Sequence, residues 1–172
     1  MRRPADLRNS RKAAFPPVVS HQTRVLVLGS LPGEASLAAQ RYYAHPQNQF
    51  WRLIGAAIER EDLPSLDYDT RLSTLLKAGV GLWDTVASAL RNGSLDAAIR
   101  EAQHARLVEF VGTLPALRAV AFNGGTAARI GRKLLAETPH RLVDLPSSSP
   151  AYAAMSFVEK RKRWLILQEF LA

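Results

Sequence analysis

At 172 residues the chain is long enough for one compact domain with a sizeable core and too short for two of ordinary size. Cysteine is absent, which excludes disulfides, a thiol nucleophile, thiolate zinc sites and cysteine-held iron–sulfur clusters. The formal net charge of +8 favours a polyanionic partner, although charge alone fits a solvated arm and a solvated helix face equally well. His21, His45, His104 and His140 show no metal-ligand spacing, so no metal and no cofactor is expected. No apolar run approaches the ~18 residues of a membrane span. The basic N-terminus lacks the apolar segment of an export signal, and the expected location is the cytoplasm, with the chromosome.

Residues 1–23 carry five basic side chains, one acid and three prolines without apolar periodicity, and read as a flexible basic arm. A single domain is expected over 24–172. It begins with a buried strand at Arg24-Val25-Leu26-Val27-Leu28-Gly29, followed by a polar and aromatic loop to about Gln47. The apolar spacing of Phe50, Trp51, Leu53, Ile54 and Ile58 predicts a helix over 48–60, and a second helix fits 69–78 before Gly79. Residues 79–83 read as a short strand. Helices are expected over 94–101, with Ser94 as cap, and over 104–113.

Residues 117–122 form a second buried strand, Asn123-Gly124-Gly125 leads into a helix to about 136, and 140–145 is the last strand. After a Pro/Ser loop over 146–155, the capping box Ser156-x-x-Glu159 opens a final helix expected to bury Val158, Trp164, Leu165 and Phe170. Strands alternating with helices imply a three-layer α/β/α domain with a small, largely parallel central sheet. In such sheets ligands bind beyond the carboxyl ends of the strands. Three loops leave strands at that edge: 29–49, 123–125 and 146–155.

Those loops hold the unusual residues. In Gly29-Ser30-Leu31-Pro32-Gly33 the glycines let the backbone approach a reacting centre closely, though turns of that composition are common. The stretch Tyr42-Tyr43-Ala44-His45-Pro46-Gln47-Asn48-Gln49-Phe50-Trp51 is more specific. Exposed aromatics are costly unless they stack on something, and a flipped base is one such partner. Asn48 suits a helix cap and equally the orientation of a water; His45 is either a loop histidine or a substrate contact. Tyr43 reads as a stacking platform and Tyr42 as packing. Asn123 is a turn residue or a donor and acceptor for a base edge, and Ser147, Ser148 and Ser149 form a plain loop or a phosphate contact. Lys160–Arg163 has the look of a solvated helix face; Trp51 and Trp164 belong to the core.

Gly29–Gly33 followed by Tyr43–Trp51 resembles the first motif region of the uracil-DNA glycosylase superfamily. Phe122-Asn123-Gly124 resembles its strand end facing the base pocket, and Pro146-Ser147-Ser148-Ser149-Pro150-Ala151 its Ser/Pro loop. The motifs come in the family's order, and the resemblance spans about 24–171. Several members place Asn or Asp after the first glycine; Ser30 stands there in this chain, as in the deoxyinosine group, whose asparagine further on maps to Asn48. The resemblance therefore implies a uracil-DNA glycosylase-like fold and a monofunctional glycosylase acting on double-stranded DNA. Hypoxanthine is the first candidate base and mismatched uracil the alternative. It implies catalytic roles for Asn48 and Ser30, base contacts from Gly29, Tyr43, His45 and Asn123, and DNA contacts from Ser147, Ser148, Ser149, Pro150 and Lys160. One nucleotide needs one pocket, so a monomer is expected.

The chemistry is compatible with that set. Cleaving an N-glycosidic bond develops oxocarbenium character on the sugar and negative charge on the base, so the site must orient a water and hydrogen-bond the leaving group. No carboxylate pair is evident in the three loops, and Glu34 is the nearest acid. A serine hydrolase built from Ser30, a histidine and Asp144 lacks the G-x-S-x-G elbow, and no GxxxxGK[ST] supports a nucleotide-phosphate enzyme. A basic nucleic-acid-binding module accounts for the charge but not for Tyr43, Asn48 and Asn123 at one sheet edge.

Overall fold

The computed structural model of the chain describes residues 11–91, 96 and 99–172. Among the described residues, strands and α-helices follow in the order β1 (Arg11–Ala13), β2 (Val25–Gly29), α1 (Glu34–Ala39), α2 (Phe50–Ala57), α3 (Tyr68–Lys77), β3 (Val80–Asp84), β4 (Val86–Arg91), β5 (Ile99–His104), α4 (Leu107–Val111), β6 (Ala119–Asn123), α5 (Gly125–Leu134), β7 (Arg141–Leu145), α6 (Phe157–Trp164) and α7 (Gln168–Leu171). The central sheet has the order β3-β2-β6-β7, and all its pairings are parallel. A second, antiparallel sheet has the order β1-β4-β5.

The period-two alternation of β2 divides the core. Val25 and Val27 pack with Val80, Leu82, Ala119 and Ala121 against Phe50, Leu53, Ile54 and Trp164, while Leu26 and Leu28 pack with Val120 and Phe122 against Leu107, Ala127 and Leu135. Both faces of the sheet are thus covered, which is why its central strands β2 and β6 read as continuous apolar runs. Each fully buried leucine or phenylalanine contributes about 1.5–3 kcal/mol. Helix α5 lies unusually close to β6: a Cβ on Gly131 would stand 2.1 Å from the Phe122 ring. Gly131→Ala is therefore expected to destabilise the fold by about 1–3 kcal/mol through overpacking, read as a lower urea midpoint.

The expected three-layer α/β domain is present, with several corrections. The arm does not extend to residue 23 as an independent tail: β1 pairs with β4, Val18 bridges Leu82, and the Phe15 carbonyl accepts from the Trp83 indole at 3.1 Å. Strand β5 occupies 99–104, where helices were expected over 94–101 and from 104; the proposed Ser94 cap lies outside the described residues. Helix α4 is only Leu107–Val111, and α1 interrupts the first loop. The final helix does start at Ser156, whose Oγ accepts from Glu159 N at 3.2 Å, but Val158 is exposed and Lys160 is buried in its place. Among the described residues no helix is long and apolar enough to cross a membrane.

Candidate active site

The three strand-end loops meet around one cavity of about 440 Å³, within the range of small-molecule sites. Gly29, Ser30, Tyr43, His45, Asn48, Asn123, Ser147, Ser148, Ser149 and Pro150 all line it. Of the catalytic and contact residues that the family resemblance implies, only Lys160 does not. Its side chain is buried behind the Ser/Pro loop with Nζ 5.2 Å from the Tyr152 ring, and desolvation pushes its pKa down. A buried amine is poorly placed for phosphate. Lys160→Met should leave the salt slope of DNA binding unchanged, whereas loss of a phosphate-contacting lysine lowers that slope by about 1.

Tyr43 is held by its neighbours. Its backbone adopts φ 53°, its carbonyl accepts from the Trp51 indole at 3.2 Å, and its ring stacks on Phe50 with centroids 3.8 Å apart. Burial first, then the nearby Asp84 charge, raise its hydroxyl well above the usual tyrosine range, against a hydrogen bond from Asn123. The phenol stays protonated. Tyr42 is core, as expected: it is buried, packs edge-on against Phe15, and its hydroxyl donates to the Pro16 carbonyl at 3.1 Å.

Asn48 holds a turn and lines the site at once. Its Oδ1 accepts from Phe50 N at 2.9 Å in the turn that leads into α2, whose N-cap is Gln49 and not Asn48 as expected, and the residue lines the cavity. His45 Nδ1 accepts from Gln47 N at 3.1 Å, the pairing of the tautomer that carries N–H at Nε2. Asn123 Nδ2 donates to Ser148 Oγ and Asn123 Oδ1 accepts from Ser148 N, both at 2.9 Å; the Ser148 carbonyl in turn accepts from Gln49 N at 3.0 Å. Ser148 is thus the knot that ties the three loops together.

Two carboxylates missed in the sequence enter the cavity. Asp84, at the end of β3 and 3% exposed, stands in register with Gly29, and a Cβ on Gly29 would lie 2.8 Å from Asp84 Oδ1 and 3.2 Å from Tyr43 Oη. Only a glycine leaves room for both groups there. Asp96 accepts from Ser30 Oγ at 2.6 Å. Each follows a strand of another element, so neither could be found by scanning the first loop. Glu34, by contrast, is ion-paired with Lys12 and does not line the cavity. The Ser30–His–Asp144 triad is not assembled: Ser30 is engaged by Asp96, and Asp144 pairs with Arg132 at 2.8 Å. Among the described residues no group of three or more His, Asp or Glu side chains is placed to hold a metal.

The family model described as the uracil DNA glycosylase superfamily matches residues 16–170. The chain belongs to this superfamily. A hypoxanthine DNA glycosylase from Methanosarcina acetivorans is 39% identical over 140 residues, 81% of this chain and 87% of that protein. A hypoxanthine DNA glycosylase from Methanosarcina barkeri is 41% identical over 114 residues, 66% and 72% of the two chains. The solution NMR structure of a candidate uracil DNA glycosylase from Methanosarcina acetivorans superposes with a TM-score of 0.83 at 34% identity, covering 94% of this chain and 99% of that one. The superfamily resemblance carried by the loop motifs is thereby confirmed, and with it the glycosylase fold.

Proposed function

We propose that this chain is a DNA glycosylase that flips a deaminated base, hypoxanthine first, out of duplex DNA and hydrolyses its N-glycosidic bond. The observation that carries the reading is the convergence of Asn48, Tyr43 and Asn123 on one cavity in a chain 39–41% identical to hypoxanthine DNA glycosylases. In this reading Asn48 orients the attacking water at C1′. Ser30, whose hydroxyl proton is committed to Asp96, offers that water an acceptor lone pair. Asn48 is too weak a base to deprotonate the water outright, so fixed dipoles and the DNA phosphates supply much of the stabilisation of the cationic sugar. The His45 Nε2 proton and the Tyr43 hydroxyl are the donors available to the departing base. Ser147, Ser149 and Pro150 hold the backbone beside the flipped nucleotide. A monomer acting on the chromosome satisfies every one of these requirements.

Single-turnover release from labelled duplexes with one deoxyinosine or one deoxyuridine, followed by alkaline cleavage, tests the proposal. Hypoxanthine release well above uracil release is the expected result. Preference for uracil moves the chain to the mismatch-uracil group, and no cleavage of either duplex by folded, DNA-binding protein leaves a non-enzymatic binder.

A further inference from the structure

We propose that Asp84 and Tyr43 together read the lactam edge of the flipped base, the Asp84 carboxylate accepting its ring N–H and the Tyr43 hydroxyl donating to the adjacent carbonyl oxygen. This rests on the glycosylase reading and adds how the base is chosen.

Deamination changes one edge of a purine. Adenine presents an acceptor at N1 beside a donor at N6; hypoxanthine presents a donor at N1 beside an acceptor at O6. A site that takes the second and refuses the first needs an obligate acceptor next to a donor, fixed in a dry place. Asp84 and Tyr43 are such a pair. Both approach the same point above Gly29, Asp84 Oδ1 at 2.8 Å and Tyr43 Oη at 3.2 Å, and both line the cavity.

The chemistry of each group suits its part. An ionised carboxylate accepts only, and its several lone-pair positions leave room for a base N–H beside the contacts it makes within the fold. Burial and the Asp84 charge keep the Tyr43 phenol protonated and hence a donor. Asn123, the residue first expected to read the base, has its Nδ2 and Oδ1 engaged by Ser148. Against adenine, the carboxylate would face the N1 lone pair with no proton between them, and in a buried site that mismatch is expensive. Uracil and guanine share the lactam N–H, so Asp84 separates lactam bases from adenine and cytosine, which present a ring-nitrogen lone pair there, and leaves the choice among lactams to the shape of the cavity.

An anion on the ring N–H also holds electron density on the base, which slows its departure. Tyr43 at the carbonyl and His45 Nε2 are the groups that offset this. Selection and leaving-group assistance are therefore divided between neighbouring side chains.

The experiment compares single-turnover release from duplexes carrying deoxyinosine or deoxynebularine, whose purine has an N1 lone pair and no carbonyl. The wild type, Asp84→Asn and Tyr43→Phe are measured side by side. An asparagine at 84 can turn its NH₂ toward that lone pair, so the inosine-to-nebularine rate ratio of Asp84→Asn should fall by about ten- to a hundred-fold, the effect of losing a charge-assisted hydrogen bond. Tyr43→Phe keeps the stack on Phe50 and should lower the ratio by about tenfold. Equal losses on both substrates, or no change in the ratio, overturn the proposal and leave Asp84 a sugar-facing or purely structural group. If Asp84→Asn does not fold, judged by its thermal melt, the Tyr43→Phe ratio decides alone. A wild type that releases no hypoxanthine sinks the glycosylase reading itself, which is a separate outcome.

Discussion

Asn48→Ala should reduce single-turnover base release by about 10²–10³, the scale of removing one fixed polar group that acts on the transition state. Duplex binding should change far less. Two roles must be separated, because Asn48 Oδ1 also accepts from Phe50 N at 2.9 Å in the turn that leads into α2. Loss of that hydrogen bond costs about 0.5–1.5 kcal/mol, enough to lower the melting temperature without unfolding the protein. Asn48→Ser separates them: a serine hydroxyl can accept from Phe50 N in the same turn but presents no carboxamide to a water. The expected result is a near-wild-type melt with base release as low as in Asn48→Ala. A serine variant that cleaves at the wild-type rate would reduce Asn48 to a turn residue and move water positioning to Ser30 or Asp84.

That dual role shows how far the sequence could be read. The central strands β2 and β6 are legible because strands covered on both faces are apolar throughout, and β7 is legible from the apolar Leu142, Val143 and Leu145 between its exposed charges. Their carboxyl ends then located the loops, and Tyr43, Asn48, Asn123 and Ser148 do converge there. The small sheet was not legible. Strands β4 and β5, Val86–Arg91 and Ile99–His104, are rich in alanine, leucine, glutamate and glutamine, all of which favour helix. Pairing with each other and with β1 overrides that preference, and pairing partners 77 residues apart leave no local trace.

In α6 the cap follows from the sequence and the buried face does not. Phe157, Lys160 and Trp164 turn inward at spacings of three and four, so apolarity alone points to Val158 in place of the buried lysine. Asp84 and Asp96 were overlooked for a related reason. Each is an ordinary acid in its own segment and becomes part of a site only through the register of β3 with β2 and the Ser30 contact.

Asn123→Ala is the second substitution expected to have a large effect, and its cause is mainly architectural. The carboxamide makes two hydrogen bonds with Ser148, which is 1% exposed, and Ser148 passes the connection to Gln49 N, the residue after Asn48. Truncation leaves the buried Ser148 N–H without a partner, at about 1–3 kcal/mol, and frees the Ser/Pro loop from the Asn48 segment. A displacement of about 1 Å at the reacting centre is enough for a loss on the order of 10²-fold. Ser147 and Ser149 make only local turns, with Ser149 N and Ala151 N, so their alanine variants should lose much less. Asn123→Asp tests whether anything beyond the strut is at stake. A carboxylate still accepts from Ser148 N, and the Ser148 hydroxyl can rotate to donate to it, so the melt should recover. Base release should stay low, because the variant loses the amide donor and adds a second negative charge across from Asp84. If release recovers together with the melt, Asn123 acts on the reaction only by holding Ser148, and reading the base falls wholly to Asp84 and Tyr43.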